Sequence, residues 1–470
     1  MGSPRVRALS VTHVRPARIS NPHDADHAIK LSLFDILCLP YALSQRVFFY
    51  EGDGLPPYPA LVATLRSSLA ATLAVFTPLA GKLAATPSGS DLFIDCSPGA
   101  VSEGVRFVEA EYAGGADDLR RLAADAEHDA DAFRQLAPAP ALEAGALPAP
   151  VLAVQVTRPA GGADGGAAIG AVVVGLSMSH VVADGEGMWQ FIGAWAAAAR
   201  GRGGSLLAGP TFDRAAINRH PKAEEVARAF LRILAPALPT VTRYPAPDIT
   251  LQRQKTYLLT AGQIQSLKER ISQQSNAFAK GEPPTPSTYA AVVSLAWTSV
   301  VRAKNAMNHA DDDDAYLMFA ADCRTRLHPP LPPGALFFGN CVKTCYARAT
   351  VGELRCGGDA ALARAAAAVR DAVREQLADP LADAERWLER RRAIPPDRGI
   401  LSVSSHRFAA YDTDFGWGRP SRVEIAAPLV REFMAVVGAP DGGVQVSVAL
   451  DREHMDGFEA SFLAQLQSSA

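Results

Sequence analysis

A two-domain α/β fold is predicted for this chain, and three observations predict it. Its 470 residues exceed what one ordinary hydrophobic core organises. Strand-like and helix-like apolar periodicities alternate in both halves. Between the halves, about residues 206–250, a proline-punctuated stretch (Pro210, Pro221, Pro236, Pro239, Pro245 and Pro247) breaks the pattern. It is too apolar for a disordered linker and reads as a crossover with its own short helix. The expected division is an N-terminal domain over 1–205, the crossover over 206–250, and a C-terminal domain over 251–470.

The elements follow in order. Val6 to Val14 alternates loosely, as a half-buried strand does. Leu61, Leu65, Leu69 and Leu73 step at helical spacing in a segment ending near Pro78. Leu92-Phe93-Ile94 and Val105 to Val108 are short strands. Val151 to Val156 and Ala171 to Met178 form a hairpin about the glycine-rich loop 161–166. That loop lacks the strand-to-helix setting of a dinucleotide fingerprint. Met188, Phe191, Ile192 and Trp195 share one helical face, and a further helix covers Ala223 to Leu234. In the second half, Thr256 to Thr260 is a strand and Ile264 to Gln273 a helix. After Pro283-Pro284-Thr285-Pro286-Ser287 a helix places Val293, Trp297, Val300 and Val301 on one face. Tyr316 to Ala320 is a buried strand, residues 359–378 an alanine-rich helix, Val444 to Leu450 a last strand and Phe458 to Gln467 a last helix.

Composition sets limits. A net charge of −3 gives no broad attraction to nucleic acid or to an anionic membrane. Cysteines at 38, 96, 323, 341, 345 and 356 form no convincing zinc pattern, and their scatter suits a reducing compartment. The acids Asp311 to Asp314 read as a solvated loop rather than a metal site. No secretory signal follows Met1-Gly2-Ser3-Pro4-Arg5-Val6-Arg7, and no apolar run is long enough for a membrane helix. A cytoplasmic protein without bound metal is expected.

The chemistry centres on Ser179-His180-Val181-Val182-Ala183-Asp184-Gly185. An imidazole at the exit of a buried strand is held by the scaffold, partly desolvated, and titrates near working pH, as a general base should. Asp184 can turn back toward the ring or cap the next helix, and Gly185 allows a sharp bend. The same pattern also fits a structural histidine beside a helix cap. In Asp414-Phe415-Gly416-Trp417-Gly418, two glycines let the backbone pack closely around an anchoring ring. Arg324 and Arg326 leave the strand at 316–320, and a buried arginine there needs a carboxylate, for which Asp184 is a candidate. There is no GxSxG elbow, HExxH helix or Walker loop. A histidine base without an enzymic nucleophile fits direct transfer of an acyl group to a bound hydroxyl or amine.

With these residues in view, the chain resembles the plant acyl-CoA-dependent acyltransferases of the BAHD family. The resemblance spans nearly the whole length: HxxxDG at 180–185, DFGWG at 414–418, and a smaller echo in Pro78-Leu79-Ala80-Gly81-Lys82. Phe337-Phe338-Gly339-Asn340-Cys341 is similar to the YFGNC signature of the subgroup that acylates flavonoid and phenolic glycosides, often with malonyl groups, with Phe337 in place of tyrosine. The resemblance implies two chloramphenicol-acetyltransferase-like domains of mixed sheet plus helices with a solvent channel between them. It implies an acyl-CoA co-substrate, a phenolic glycoside acceptor, no permanent cofactor, and a monomer. It makes His180 the general base and Asp184 a structural partner of Arg324, with Arg326 as second choice. Gly185 would relieve crowding beside the pantetheine arm, and Asp414, Phe415, Gly416, Trp417 and Gly418 would shape the CoA side of the channel. Ser404 or Ser405 could contact the carbonyl or oxyanion. Three alternatives stay open: a hydroxycinnamoyl donor with the same machinery, a condensation domain of peptide synthetases (whose first motif histidine is Ser179 here), and a non-catalytic binding relative.

Overall fold

The run Ala171–Met178 carries no charge and is buried along its whole length, and the first sheet is built around it. The structure is a computed structural model that describes residues 5–18, 27–41, 43–138, 146–161, 169–202, 209–241, 244–245, 247–278, 285–304, 309–332, 336–427 and 430–467. Most of the glycine-rich loop, Gly203-Gly204, Pro283-Pro284, Pro333 and residues 1–4 therefore lie outside the described residues.

In chain order the strands are β1 (Val6–Val14), β2 (Ala28–Lys30), β3 (Ser44–Glu51), β4 (Lys82–Ala85), β5 (Leu92–Asp95), β6 (Val105–Tyr112), β7 (Ala149–Pro150), β8 (Leu152–Pro159), β9 (Ala171–Met178), β10 (Gln252–Leu259), β11 (Asp314–Asp322), β12 (Val342–Thr350), β13 (Gly399–Val403), β14 (Arg422–Ile425), β15 (Phe433–Gly438) and β16 (Val444–Asp451). The chain divides into two units.

The first unit comprises Met1–Ala246, Pro329–Cys341 and Ala410–Leu429. Its six-stranded sheet runs β1-β6-β8-β9-β3-β14, with a four-stranded sheet β2-β5-β4-β7 beside it. Strands β8 and β9 pair antiparallel, as the predicted hairpin requires, whereas β6 and β8 run parallel. One face of the large sheet packs Val47, Phe49, Ala171 and Val173 against Leu119, Phe133 and Leu136. Elsewhere in the unit, helix Tyr58–Leu73 lies against helix Gly185–Ala199. Leu61, Leu65, Leu69 and Leu73 are fully buried, so the predicted stripe is the packing face. Burying each such leucine stabilises by about 1.5–3 kcal/mol. The Trp195 indole N–H donates to Leu65 O and Ser68 Oγ, both at 3.1 Å, locking the two helices together.

The second unit comprises Pro247–His328, Val342–Ala409 and Val430–Ala470. Its sheet runs β10-β16-β15-β13-β11-β12, with the β15–β13 and β13–β11 pairings parallel. Helix Thr288–Ala303, capped by Ser287, buries Val293, Trp297 and Val300. It packs against helices Asp359–Gln376 and Arg452–Gln467.

Two boundaries differ from expectation. Asp414–Gly418 packs in the first unit rather than with the C-terminal half. The cause is strand exchange: β14 pairs antiparallel with β3, from Arg422↔Phe49 to Ile425↔Arg46. The crossover region, in turn, contributes helices Ala215–Asn218 and Ala223–Leu234 to the first unit instead of standing apart from it.

Candidate functional site

The turn that carries His180 is pinned at nearly every backbone position. Ser179 N–H donates to Val151 O at 2.8 Å, continuing the β8–β9 ladder, and Val182 N–H closes the turn on Ser179 O at 3.1 Å. Asp184 is the N-cap of helix Gly185–Ala199. Its Oδ1 accepts from Gly187 N–H at 3.2 Å, and Oδ2 accepts from Cys341 N–H at 3.0 Å. The aspartate is buried, so these charge-assisted bonds act in a low-dielectric setting. Gly185 is not among the left-handed glycines of the described residues, so the bend draws on the aspartate cap rather than on glycine's freedom. At Gly187 a Cβ would meet Ala183 Cβ at 2.8 Å, so a side chain there would force its neighbour to shift.

Beneath the turn lies a polar cluster that the sequence reading did not identify. Asn340 Nδ2 donates to His180 O at 2.9 Å, to Val181 O at 3.2 Å and to Asp35 Oδ1 at 3.0 Å. Arg214 Nη2 donates to Val182 O at 3.0 Å and Nη1 to Phe338 O at 2.7 Å, while Nε meets Asp35 Oδ2 at 3.3 Å. Asp35 is itself locked by a capping box with Ser32, whose N–H and Oγ reach Oδ2 at 2.9 and 2.8 Å. Thus the carbonyls of residues 180, 181 and 182 are each held by a buried donor. The Asp35–Arg214 pair is fully enclosed. Such a pair contributes little net stability but costs much to break. Phe337 lies buried, with the Arg214 guanidinium 5.5 Å above its ring. The Ser-x-x-Asp spacing of 32–35 is a capping signature readable from sequence. Arg214 carries no local signal at all.

His180 keeps partial exposure, while its Nδ1 is shut away with no hydrogen-bond partner among the described residues. Burial pushes the imidazole pKa below its ordinary 6.5; the Asp184 charge opposes that shift and the Arg46 charge adds to it. The ring is therefore neutral at neutral pH, the form that can accept a proton. Tyr41 stands beside it at 6.4 Å between ring centroids, and Tyr244 meets Tyr41 edge-on at 5.4 Å.

The DFGWG segment packs at the far end of the same helix. Asp414 Oδ1 accepts from Gly416 N–H at 2.7 Å and Gly418 N–H at 2.9 Å, and both glycines take left-handed φ of +108° and +99°. Phe415 is buried against Trp195 and Tyr50, with centroids at 4.8 and 6.0 Å. The Arg200 guanidinium donates to Asp414 O. The motif thus braces helix Gly185–Ala199 and holds no group near His180 among these contacts.

The remaining predicted residues lie in the second unit. Arg324 Nη1 bonds Asp322 Oδ1 at 2.8 Å, and Arg326 is exposed. Ser404 takes a left-handed φ of 68° and its Oγ is buried with no partner among the described residues, whereas Ser405 Oγ accepts from Arg407 N–H at 3.2 Å. All six cysteines are free thiols, and no metal-binding cluster occurs among the described residues. No helix of the described residues is long and apolar enough to cross a membrane.

Comparison with known proteins matches residues 7–464 to the Transferase family. The chain is 29% identical to the shikimate O-hydroxycinnamoyltransferase of Nicotiana tabacum, over 90% of this chain and 92% of that protein. It is 27% identical to phenolic glucoside malonyltransferase 1 of Arabidopsis thaliana, over 96% of both chains. Its fold is similar to the crystal structure of vinorine synthase, with a TM-score of 0.71 at 21% identity, covering 98% of each chain. With a mixed α/β two-unit fold and a family match spanning both units, the chain belongs to the Transferase family of BAHD acyl-CoA-dependent acyltransferases.

Proposed function

We propose that this acyltransferase moves an acyl group, most readily malonyl, from its CoA thioester to a hydroxyl of a phenolic or flavonoid glycoside. The observation that carries this reading is the Phe338-Gly339-Asn340-Cys341 segment seated directly under the His180 turn, where Asn340 and Cys341 bond His180 O and Asp184 Oδ2. It matches the signature of the glycoside-acylating subgroup, and relatives include phenolic glucoside and anthocyanin 5-O-glucoside malonyltransferases. The Tyr41–Tyr244 pair offers an aromatic acceptor a stacking surface beside the base. A second reading, hydroxycinnamoyl transfer, is favoured by relatives such as the tobacco enzyme.

In the proposed mechanism both substrates are bound together in the channel expected of the family. His180 Nε2 takes the proton of the acceptor hydroxyl as its oxygen attacks the thioester carbonyl. The tetrahedral oxyanion is met by a donor, for which Ser404, with its unpartnered hydroxyl, is the better candidate and Ser405 the other. Collapse breaks the carbon–sulfur bond, and the CoA thiolate recovers the proton from His180. General base action supplies about 10²–10⁴-fold; joint positioning of the two substrates supplies much of the rest. Asp184 holds the turn and the helix start, and the family resemblance adds Arg324, with Arg326 second, as its cationic partner. Gly185 would pass beside the pantetheine arm, and Asp414 to Gly418 would keep the CoA side in shape. The protein would act as a cytoplasmic monomer.

The test is a matrix of malonyl-, coumaroyl- and acetyl-CoA against flavonoid and phenolic glucosides, followed by thiol release and product mass. A malonylated glucoside as main product supports the proposal. Coumaroyl transfer with no malonyl product would replace it with the second reading. Acyl-CoA binding without thiol release from any pair would favour a non-catalytic relative.

A further inference from the structure

Arg46 is a buried cation that the mechanism above does not use. It sits near the start of β3, only 7% exposed. Its one hydrogen bond among the described residues runs from Nη1 to the neighbouring Gln45 O at 3.0 Å. Among the described residues no carboxylate pairs with it. Glu424, whose charge it feels, instead meets Arg422 Nε at 2.9 Å and lies 3.3 Å from His128 Nε2. Burial without an ion pair pulls the Arg46 pKa down to about 10. A desolvated guanidinium held this way is costly unless something else brings it an anion.

Strand alternation says which way it faces. Arg46, Phe48 and Tyr50 share one face of the sheet, opposite to that of Val47 and Phe49. Phe48 packs against Trp189 of the helix that follows the His180 turn, with centroids at 6.0 Å. The cross-strand partners of Arg46 are Ile425 on β14 and Leu176 on β9, and Leu176 shares its face with Met178, two residues before His180. Arg46 is near enough to His180 for its charge to act on the imidazole.

We propose that Arg46 is the anion receptor of the acyl-transfer site and takes the free carboxylate of a dicarboxylic half-thioester donor of the malonyl type. In such a donor the carboxylate lies one methylene beyond the thioester carbonyl. A carbonyl placed for attack beside His180 therefore carries its carboxylate into the immediate neighbourhood of His180, where a cation must stand. A guanidinium matches a carboxylate with paired N–H donors, and in a dry site such bonds are stronger than in water. This inference rests on the malonyl reading above and deepens it.

Equilibrium binding separates the two, because it needs neither turnover nor a known acceptor. Titration calorimetry would compare malonyl-CoA with acetyl-CoA, which lacks only the carboxylate, on the wild-type protein, Arg46→Gln and Arg46→Lys. The wild type should bind malonyl-CoA about tenfold more tightly than acetyl-CoA, the worth of one charge-assisted contact. Arg46→Gln should erase the preference and Arg46→Lys keep part of it. No preference in the wild type, or one that survives Arg46→Gln, overturns the assignment. So does an equal loss of both ligands in Arg46→Gln. Failure of the malonyl reading itself shows elsewhere, as coumaroyl products in the donor matrix.

Discussion

Replacing Asn340 by alanine removes the two donors that hold the His180 and Val181 carbonyls without touching any atom that would meet substrate. Asn340 is fully buried, and its Nδ2 bonds lie at 2.9 and 3.2 Å to those carbonyls. Asp35 Oδ1 loses one of two donors but keeps the Asn340 backbone N–H at 3.1 Å, so it is not stranded. Two buried carbonyls left unpaired, at about 1–3 kcal/mol each, place the destabilisation at about 2–5 kcal/mol. The turn then loses its brace at the residue that carries the imidazole. A misplacement of about 1 Å costs on the order of 10²-fold in rate. The assay pairs a urea unfolding midpoint with kcat at saturating donor and acceptor. The expected result is a folded variant whose kcat falls about 10- to 100-fold while donor KM changes little, because the lost positioning is felt in the transition state. Asn340→Asp, which keeps the shape but turns an acceptor toward two carbonyls and a carboxylate, should be worse. A folded Asn340→Ala protein with wild-type kcat would refute the positioning argument.

Three further predictions use the same geometry. Arg214→Met leaves Asp35 charged, enclosed and without its cation, and should lower unfolding stability by about 3–5 kcal/mol; the double change Asp35→Asn with Arg214→Met should recover part of that loss. Asp184→Ala removes a helix cap and the Cys341 contact, so activity and soluble yield should fall together, with about 0.5–2 kcal/mol from the cap alone. The acid limb of kcat/KM should fall below pH 6.5, because burial holds the His180 pKa under that value and only the neutral ring accepts a proton. The sign for stability agrees: a histidine whose folded pKa is depressed contributes fully above its unfolded pKa and loses that contribution as pH drops through the folded value. Since the Arg46 charge helps depress that pKa, Arg46→Gln should move the limb toward higher pH. A limb above 6.5 in the wild type would contradict the burial of the ring.

Much of the fold was legible where a single periodicity dominates. The span of β1, the leucine stripe 61–73, the β8–β9 hairpin and the helix over Ala223–Leu234 appear where spacing put them. What escaped was non-local. Nothing in Arg422–Ile425 announces a partner hundreds of residues upstream, yet its pairing with β3 carries DFGWG into the first unit. The parallel pairings of β13 likewise leave no trace in a short buried run. In the candidate site, His180 and Asp184 were readable because strand exit, turn and helix cap are consecutive in sequence. Asp35, Arg214 and Asn340 come from three distant segments, and only folding brings their polar atoms to one turn. Arg46 follows the polar Ser44 and Gln45 at the start of β3 and carries no signal of its own; its enclosure without a carboxylate is visible only in three dimensions.

The claim that His180 is the proton acceptor is tested most directly by single-turnover thiol release from a productive donor–acceptor pair, with wild-type protein and His180→Ala both confirmed folded by their unfolding transitions. The account predicts that His180→Ala still binds acyl-CoA but releases CoA thiol about 10²–10⁴-fold more slowly. Near-wild-type release by a folded His180→Ala protein with saturating donor would contradict it.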